Sequence, residues 1–226
     1  LAHLGEDLTV MSYIWARTVN SPNPAFSEIE VPLVRSFVIC KKKGLDHWVE
    51  PIVDGITYKF VVRKSPIPTE AAKGTKLNKA NFKCLISSSP IDAAYVREQA
   101  VAGKMGAKLL AIVAEGKKGR IYLSPDNSTE ESALSCESNW KPEQKFFDKA
   151  LGFRVANYGL THWSDLFTRR QLVALECFTS LIPEVMSRVL SDRRSQDEFD
   201  NEYAVAVVTY LSFAIDKMAD LGNSLC

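Results

Sequence analysis

Two groups of cations are the first residues in this chain whose types and spacing point to chemistry. Lys41-Lys42-Lys43 stands directly before Gly44, and Lys117, Lys118 and Arg120 surround Gly119. Long cationic side chains on tight turns reach outward, the arrangement that meets nucleic-acid phosphates. Other reactive residue types are dispersed. His3, His47 and His162 have no acidic or cysteine partner placed so that a catalytic dyad or triad can be drawn. The five cysteines, Cys40, Cys84, Cys136, Cys177 and Cys226, are odd in number and widely spaced. Such usage is that of free thiols in a reducing cytoplasm, not of a disulfide framework. Gly103 and Gly106 flank Lys104-Met105 but follow a helical pattern, the wrong setting for a dinucleotide-binding turn.

The charge is unevenly distributed. Over all 226 residues the formal net charge is +1. Residues 1–125 hold 18 Lys and Arg against 11 Asp and Glu, a net of +7, while residues 126–226 hold 10 against 16, a net of −6. The stretch 59–83 carries seven positive charges and one negative. Asymmetry of this kind fits a first half that faces a polyanion; a solvated, lysine-rich surface is the plainer alternative. With 46% hydrophobic residues the chain is long enough for one or two cores. No apolar run approaches the roughly 20 residues that span a bilayer. The acidic start, with Glu6 and Asp7, is not that of a signal peptide, so a cytoplasmic protein with no membrane partner is expected. The chain begins at Leu1 and stops at Cys226 just after a helical pattern, as an internal piece of a longer chain would.

The elements that must position these residues follow from periodicity. Leu8, Met11, Ile14 and Trp15 predict a helix over 6–15, with 17–19 extended after it. Pro22 and Pro24 make 21–27 a turn, and the β-branched run 31–40 reads as a strand with Pro32 near its start. Strands over 48–53 and 56–62 form a hairpin at Asp54-Gly55. Residues 64–79 read as a loop, 81–89 as a short strand and turn, and 92–104 as a helix ending near Gly103 or Gly106. A second hairpin joins 109–115 to 120–123 around the turn that carries Lys117 and Lys118. Residues 125–140 read as a linker with one helical turn, and 141–157 as irregular.

The end of the chain is helical. Thr168 and Gln171 form a capping box, with Phe167 and Leu172 as its hydrophobic staple. Behind it Leu172, Leu175, Phe178, Ile182, Val185 and Val189 recur at helical spacing through 168–190, and Pro183 is expected to bend this helix rather than end it. A further helix over 201–221 has Ala204, Val207, Val208, Leu211, Ile215 and Met218 on one face and Gly222 at its C-cap.

Several stretches resemble a known family in order along the chain. They are Ile14-Trp15-Ala16-Arg17-Thr18-Val19, Pro22-Asn23-Pro24-Ala25, Val31-Pro32-Leu33-Val34-Arg35-Ser36, Ala111-Ile112-Val113-Ala114-Glu115-Gly116, Gly119-Arg120-Ile121-Tyr122-Leu123-Ser124-Pro125, and Tyr158-Gly159-Leu160 through Arg170-Gln171. The family they resemble is that of adenine-specific DNA methylases containing a zinc-ribbon domain. Asn23-Pro24-Ala25-Phe26 lies one residue from the Asn-Pro-Pro-Phe/Tyr signature of amino-methyltransferases. The second proline is missing, so a proline turn with one buried Phe is the expected reading.

That resemblance implies an S-adenosylmethionine-dependent parent enzyme. It also implies a structural zinc site whose four cysteine positions match Ser21, Phe26, Cys84 and Ser87. Only one of those four can still ligate, so zinc is expected to be absent unless Cys40, His47 and Cys136 supply a new geometry. The glycine-rich cofactor loop and the Asp-Pro-Pro-Tyr motif of the family lie outside these residues, so no catalytic or cofactor-binding residue is assigned and no S-adenosylmethionine binding by this chain alone is expected.

The expected fold is α+β, inserted in or attached to a Rossmann-like methyltransferase. Residues 1–125 form a β-rich, degenerate zinc-ribbon-like region, 126–157 a linker, and 158–226 a helical region resting on the catalytic domain. The expected partners are DNA, contacted by Lys41, Lys42, Lys43, Lys117, Lys118 and Arg120, and the remainder of the methyltransferase chain. A non-enzymatic DNA-binding or interaction module and a decayed methylase remnant stand as alternatives.

Overall fold

The computed structural model describes residues 2–3, 6–42, 44–117, 119–147, 154–192 and 198–224. It has mixed α and β structure, and every strand pairing among the described residues is antiparallel. The chain divides into two compact units, Leu1–Glu130 with Asn157–Gly159, and 131–156 with 160–226.

In the first unit, β1 (Ala2–His3) pairs with β2 (Glu6–Asp7), and β3 (Thr9–Asn20) follows. The helix expected over 6–15 is therefore absent; the stretch is extended. Its Val10, Tyr13, Ile14, Trp15, Thr18 and Val19 are strand formers, and β3 gains a partner along nearly its whole length. The helical spacing misled because the register shifts at Met11, an extra residue that is 51% exposed and breaks the alternation of faces.

The run 31–40 is two strands rather than one. β4 (Glu30–Pro32) borders β3, whereas β5 (Val38–Cys40) joins another sheet. Between them the backbone turns to other partners: Val34 N donates to Thr75 Oγ1 at 2.9 Å and Phe37 N to Ala71 O at 2.8 Å. β6 (His47–Asp54) and β7 (Thr57–Lys64) form the expected hairpin, but its two-residue turn is Gly55-Ile56, one residue later than Asp54-Gly55, with Gly55 at φ +59°. The expected loop 64–79 contains a short helix, α1 (Thr69–Lys73), which Gly74 ends at φ +58°. A Cβ at Gly74 would lie 2.5 Å from Val34 O, so the close approach of this turn to 34–36 requires glycine.

β8 (Phe82–Lys83) and β9 (Pro90–Ile91) clasp a turn, and α2 (Ala93–Val101) starts where Asp92 accepts a hydrogen bond from Tyr95 N at 2.7 Å. Gly103, at φ +68°, stops that helix as its position indicated. β10 (Gly106–Gly116) and β11 (Gly119–Leu123) complete a four-stranded sheet in the order β11-β10-β3-β4 beside the three-stranded β5-β6-β7. Residues 109–114 of β10 are all buried. One core cluster gathers Ala16, Val49, Phe60, Leu110 and Ala111 from both sheets with Val34 and Phe37 from the segment between them, and another gathers Val19, Val31, Cys84, Ile91 and Val96 beside α2. The bulge at Leu110 leaves the Leu109 amide to Glu130 Oε1 at 3.4 Å, and Lys108 Nζ pairs with Glu130 Oε2 at 3.1 Å.

α3 (Asn127–Leu134) is two turns long where one was expected, begun by Asp126, which accepts from Thr129 N at 2.7 Å. In the second unit, a 3-10 turn over Trp163–Leu166 is closed by Asp165, which accepts from Thr161 N and His162 N. The capping box is present: Gln171 N donates to Thr168 Oγ1 and Thr168 N to Gln171 Oε1. The expected bent helix is instead two, α4 (Arg169–Ser180) and α5 (Ile182–Asp192), because Pro183 has no amide to donate back to the preceding turn. α6 (Glu198–Leu221) ends at Gly222, whose amide donates to Met218 O at 2.8 Å. No described helix is long and apolar enough to cross a membrane.

Candidate nucleic-acid interface and the buried cysteine turn

The first unit brings three of the six expected cations to one place. Lys41, Lys42 and Arg120 line a cleft of about 670 Å³ together with Ile39, Cys40, Leu45, His47, Gly119 and Tyr122. Lys41 and Lys42 leave the end of β5, and Gly44, at φ +78°, turns the chain back so that Leu45 N donates to Lys42 O at 2.7 Å. Arg120 enters from the other hairpin, just after Gly119 at φ +120°. Lys117 is exposed at the tip of that hairpin. Lys43 and Lys118 lie outside the described residues.

The cleft also holds residues that linear spacing had not united. His47 stands opposite Cys40 across β5 and β6 and opposite Lys64 across β6 and β7. Its ring lies 4.7 Å from that of Tyr122, at 44°. His47 Nδ1 is 2.9 Å from Leu45 O; a carbonyl only accepts, so Nδ1 carries the hydrogen and Nε2 is left for another partner. Burial pushes the Tyr122 hydroxyl pKa up, a hydrogen bond with Cys40 adds to this, and Arg120 draws it back. Arg63, by contrast, is paired with Glu50 at 2.6 Å. Tyr122 and His47 are 75 positions apart, and only sheet pairing joins them. The sequence signal that could have found Lys64 is the hairpin register, which sets it opposite His47 once the turn is placed.

A second convergence brings together Ser21, Cys84 and Ser87; Phe26 lies in the same loop as Ser21. The 21–29 loop is closed by Ser21 N to Ile29 O at 2.9 Å and Phe26 N to Asn23 O at 2.8 Å. Asn23 caps a 3-10 turn over Pro24–Phe26, its Oδ1 accepting from Ala25 N at 3.1 Å, and its Nδ2 reaches Ser89 Oγ at 3.5 Å. Asn23 therefore serves the turn, and Phe26 is half-buried rather than buried. The 84–89 turn is closed by Cys84 N to Ser89 O at 2.9 Å and Ser88 N to Cys84 O at 3.1 Å, with Ser88 at φ +57°.

Cys84 is 1% exposed and Ser21 3%. Burial pushes the Cys84 thiol up, but the polar groups of Ser87, Ile86 and Ser21 around it outweigh this, leaving the pKa below that of an ordinary thiol. Ser87 N donates to the Cys84 sulfur at 3.5 Å, and the Ser87 hydroxyl donates to Ser89 Oγ at 3.0 Å. Its own donor set, one thiol and two hydroxyls, does not fit zinc, which takes four thiolate, imidazole or carboxylate ligands. Among the described residues no group of three or more His, Cys, Asp or Glu is gathered that could hold a metal ion.

No family model, curated protein or solved structure matches this chain.

Proposed function

We propose that this chain is an internal part of an S-adenosylmethionine-dependent DNA adenine-N6 methyltransferase, supplying DNA-contact and scaffold surface rather than the active site. The observation that carries this reading is the meeting of Ser21, Cys84 and Ser87. More than 60 positions separate Ser21 from Cys84, yet Ser21 and Ser87 both lower the pKa of that one thiol, and Ser87 N donates to its sulfur at 3.5 Å. These are three of the four positions that the family resemblance assigns to zinc ligands. On this reading the unit is a zinc-ribbon-like region in which hydrogen bonds to Cys84 have taken the place of metal, and the chain holds no zinc.

Two further features support it. The cleft of Lys41, Lys42 and Arg120 supplies cations where phosphate contact was expected. In the second unit α6 leaves Tyr210 75% and Phe213 61% exposed, apolar surface suited to rest on the remainder of a longer chain. The parent would be Rossmann-like and would carry the cofactor pocket; calorimetry of this chain with S-adenosylmethionine is expected to show no binding. A non-enzymatic DNA-binding module would share the cleft but has no reason to keep the Ser21 and Cys84 turns together.

The test restores the ligands. The Ser21→Cys, Phe26→Cys, Ser87→Cys triple variant is expected to bind one zinc per chain and to melt at a higher temperature with zinc than with chelator. A folded triple variant that takes up no zinc would break the link to the zinc-ribbon methylases.

A further inference from the structure

Beyond phosphate contact, the cleft has the second component of a single-strand site. A duplex presents its phosphates outward and keeps its bases stacked inside, so cations suffice to hold it. A single strand offers base faces as well, and sites for it set aromatic rings beside cations. His47 and Tyr122 supply such rings, 4.7 Å apart within the lining of the cleft. The Nδ1 bond to Leu45 O fixes the imidazole and leaves Nε2 for a ligand. Lys41, Lys42 and Arg120 line the same space, and Lys64 stands across the hairpin from His47. At about 670 Å³ the cleft is within the size range of small-ligand sites.

We propose that this cleft takes one unpaired nucleotide of a nucleic-acid strand, its base laid against the His47–Tyr122 rings and its phosphates held by Lys41, Lys42, Lys64 and Arg120. A strand is favoured over a free nucleotide because the positive charge continues past the cleft lining to Lys64, which stands opposite His47 on β7. The inference rests on the nucleic-acid contact proposed above and deepens it by naming the form of the ligand.

The experiment titrates a labelled single-stranded oligonucleotide and its duplex against the chain at one salt concentration, reading anisotropy, with 2-aminopurine in the single strand reporting base stacking. The wild type is expected to quench the 2-aminopurine. Tyr122→Ala and His47→Ala are expected to weaken single-strand binding about tenfold and leave duplex binding unchanged, while Tyr122→Phe keeps most of both. Equal losses on the two forms, or none on the single strand, would overturn the inference while the phosphate-contact reading survives. If the alanine variants do not fold, the wild-type fluorescence decides: a bound strand without quenching overturns it. Adenosine monophosphate competing as strongly as the oligonucleotide would overturn the assignment to a strand. Failure of both nucleic acids to bind the wild type would instead remove the phosphate-contact reading itself.

Discussion

The buried cysteine turn and the basic cleft are both made where hairpin ends meet, yet they treat polar groups in opposite ways. Cys84 and Ser21 are buried, Ser87 N donates to the Cys84 sulfur, and the turn sits in the cluster of Val19, Val31, Ile91 and Val96. Around the cleft Lys41, Lys42 and Arg120 are exposed and reach into solvent. The first place should therefore govern stability and the second should govern binding. Substitutions can separate the two.

The largest effect is expected at Ile91, which is fully buried beside Cys84. Ile91→Ala should cost about 2–5 kcal/mol in denaturant unfolding. A cost as small as that of a surface change would mean that the cysteine turn is not part of the core. Thr75 comes next. Its buried hydroxyl donates to Pro32 O at 2.7 Å and accepts from Val34 N at 2.9 Å, tying down the segment that crosses between the two sheets. Thr75→Val keeps the shape and should cost about 1–3 kcal/mol through backbone groups left unpaired.

A smaller effect should appear as a pH dependence. The folded Cys84 pKa lies below the unfolded value of about 8.5, so above it the native state binds fewer protons than the unfolded chain. Its contribution to stability is present above the unfolded value and is lost as pH falls through the folded one. The stability advantage of wild type over Cys84→Ser, compared by urea midpoints, should be larger at alkaline pH than at neutral pH. The reverse trend would show that burial, not the donors, dominates at this sulfur.

The smallest stability change belongs to the cleft. Lys41→Ala, Lys42→Ala and Arg120→Ala should each alter unfolding free energy by no more than about 0.5 kcal/mol. Each phosphate contact removed should reduce the slope of log affinity against log salt for duplex DNA by about 0.9. A large loss of stability in these variants would place the cations in the scaffold instead.

Local signals in the sequence carried much of this architecture. The hairpin at Gly55, the Gly116 to Gly119 hairpin, the helix that follows Asp92 and the Thr168–Gln171 box depend on neighbours within a few positions, and all are present. What misled was set by distant partners. β3 looked helical because the bulge at Met11 hides its alternation, and only pairing with β10, about 100 positions away, makes it a strand. The run 31–40 divides because Thr75 and Ala71 draw its middle away from the sheet. The cleft was half legible: turn lysines declare themselves by flanking glycines, but nothing local joins His47 to Tyr122. The meeting of Ser21 with Cys84 likewise has no local signal.

The most direct test of polyanion contact by the first unit is duplex DNA affinity measured across a salt series on the whole chain. Weak binding with little sequence preference is expected, with log affinity falling linearly as log salt rises. That slope should become shallower in the Lys41→Ala, Lys42→Ala, Arg120→Ala triple variant. Absence of binding at the lowest salt would contradict the account and leave the lysines as a solvated surface.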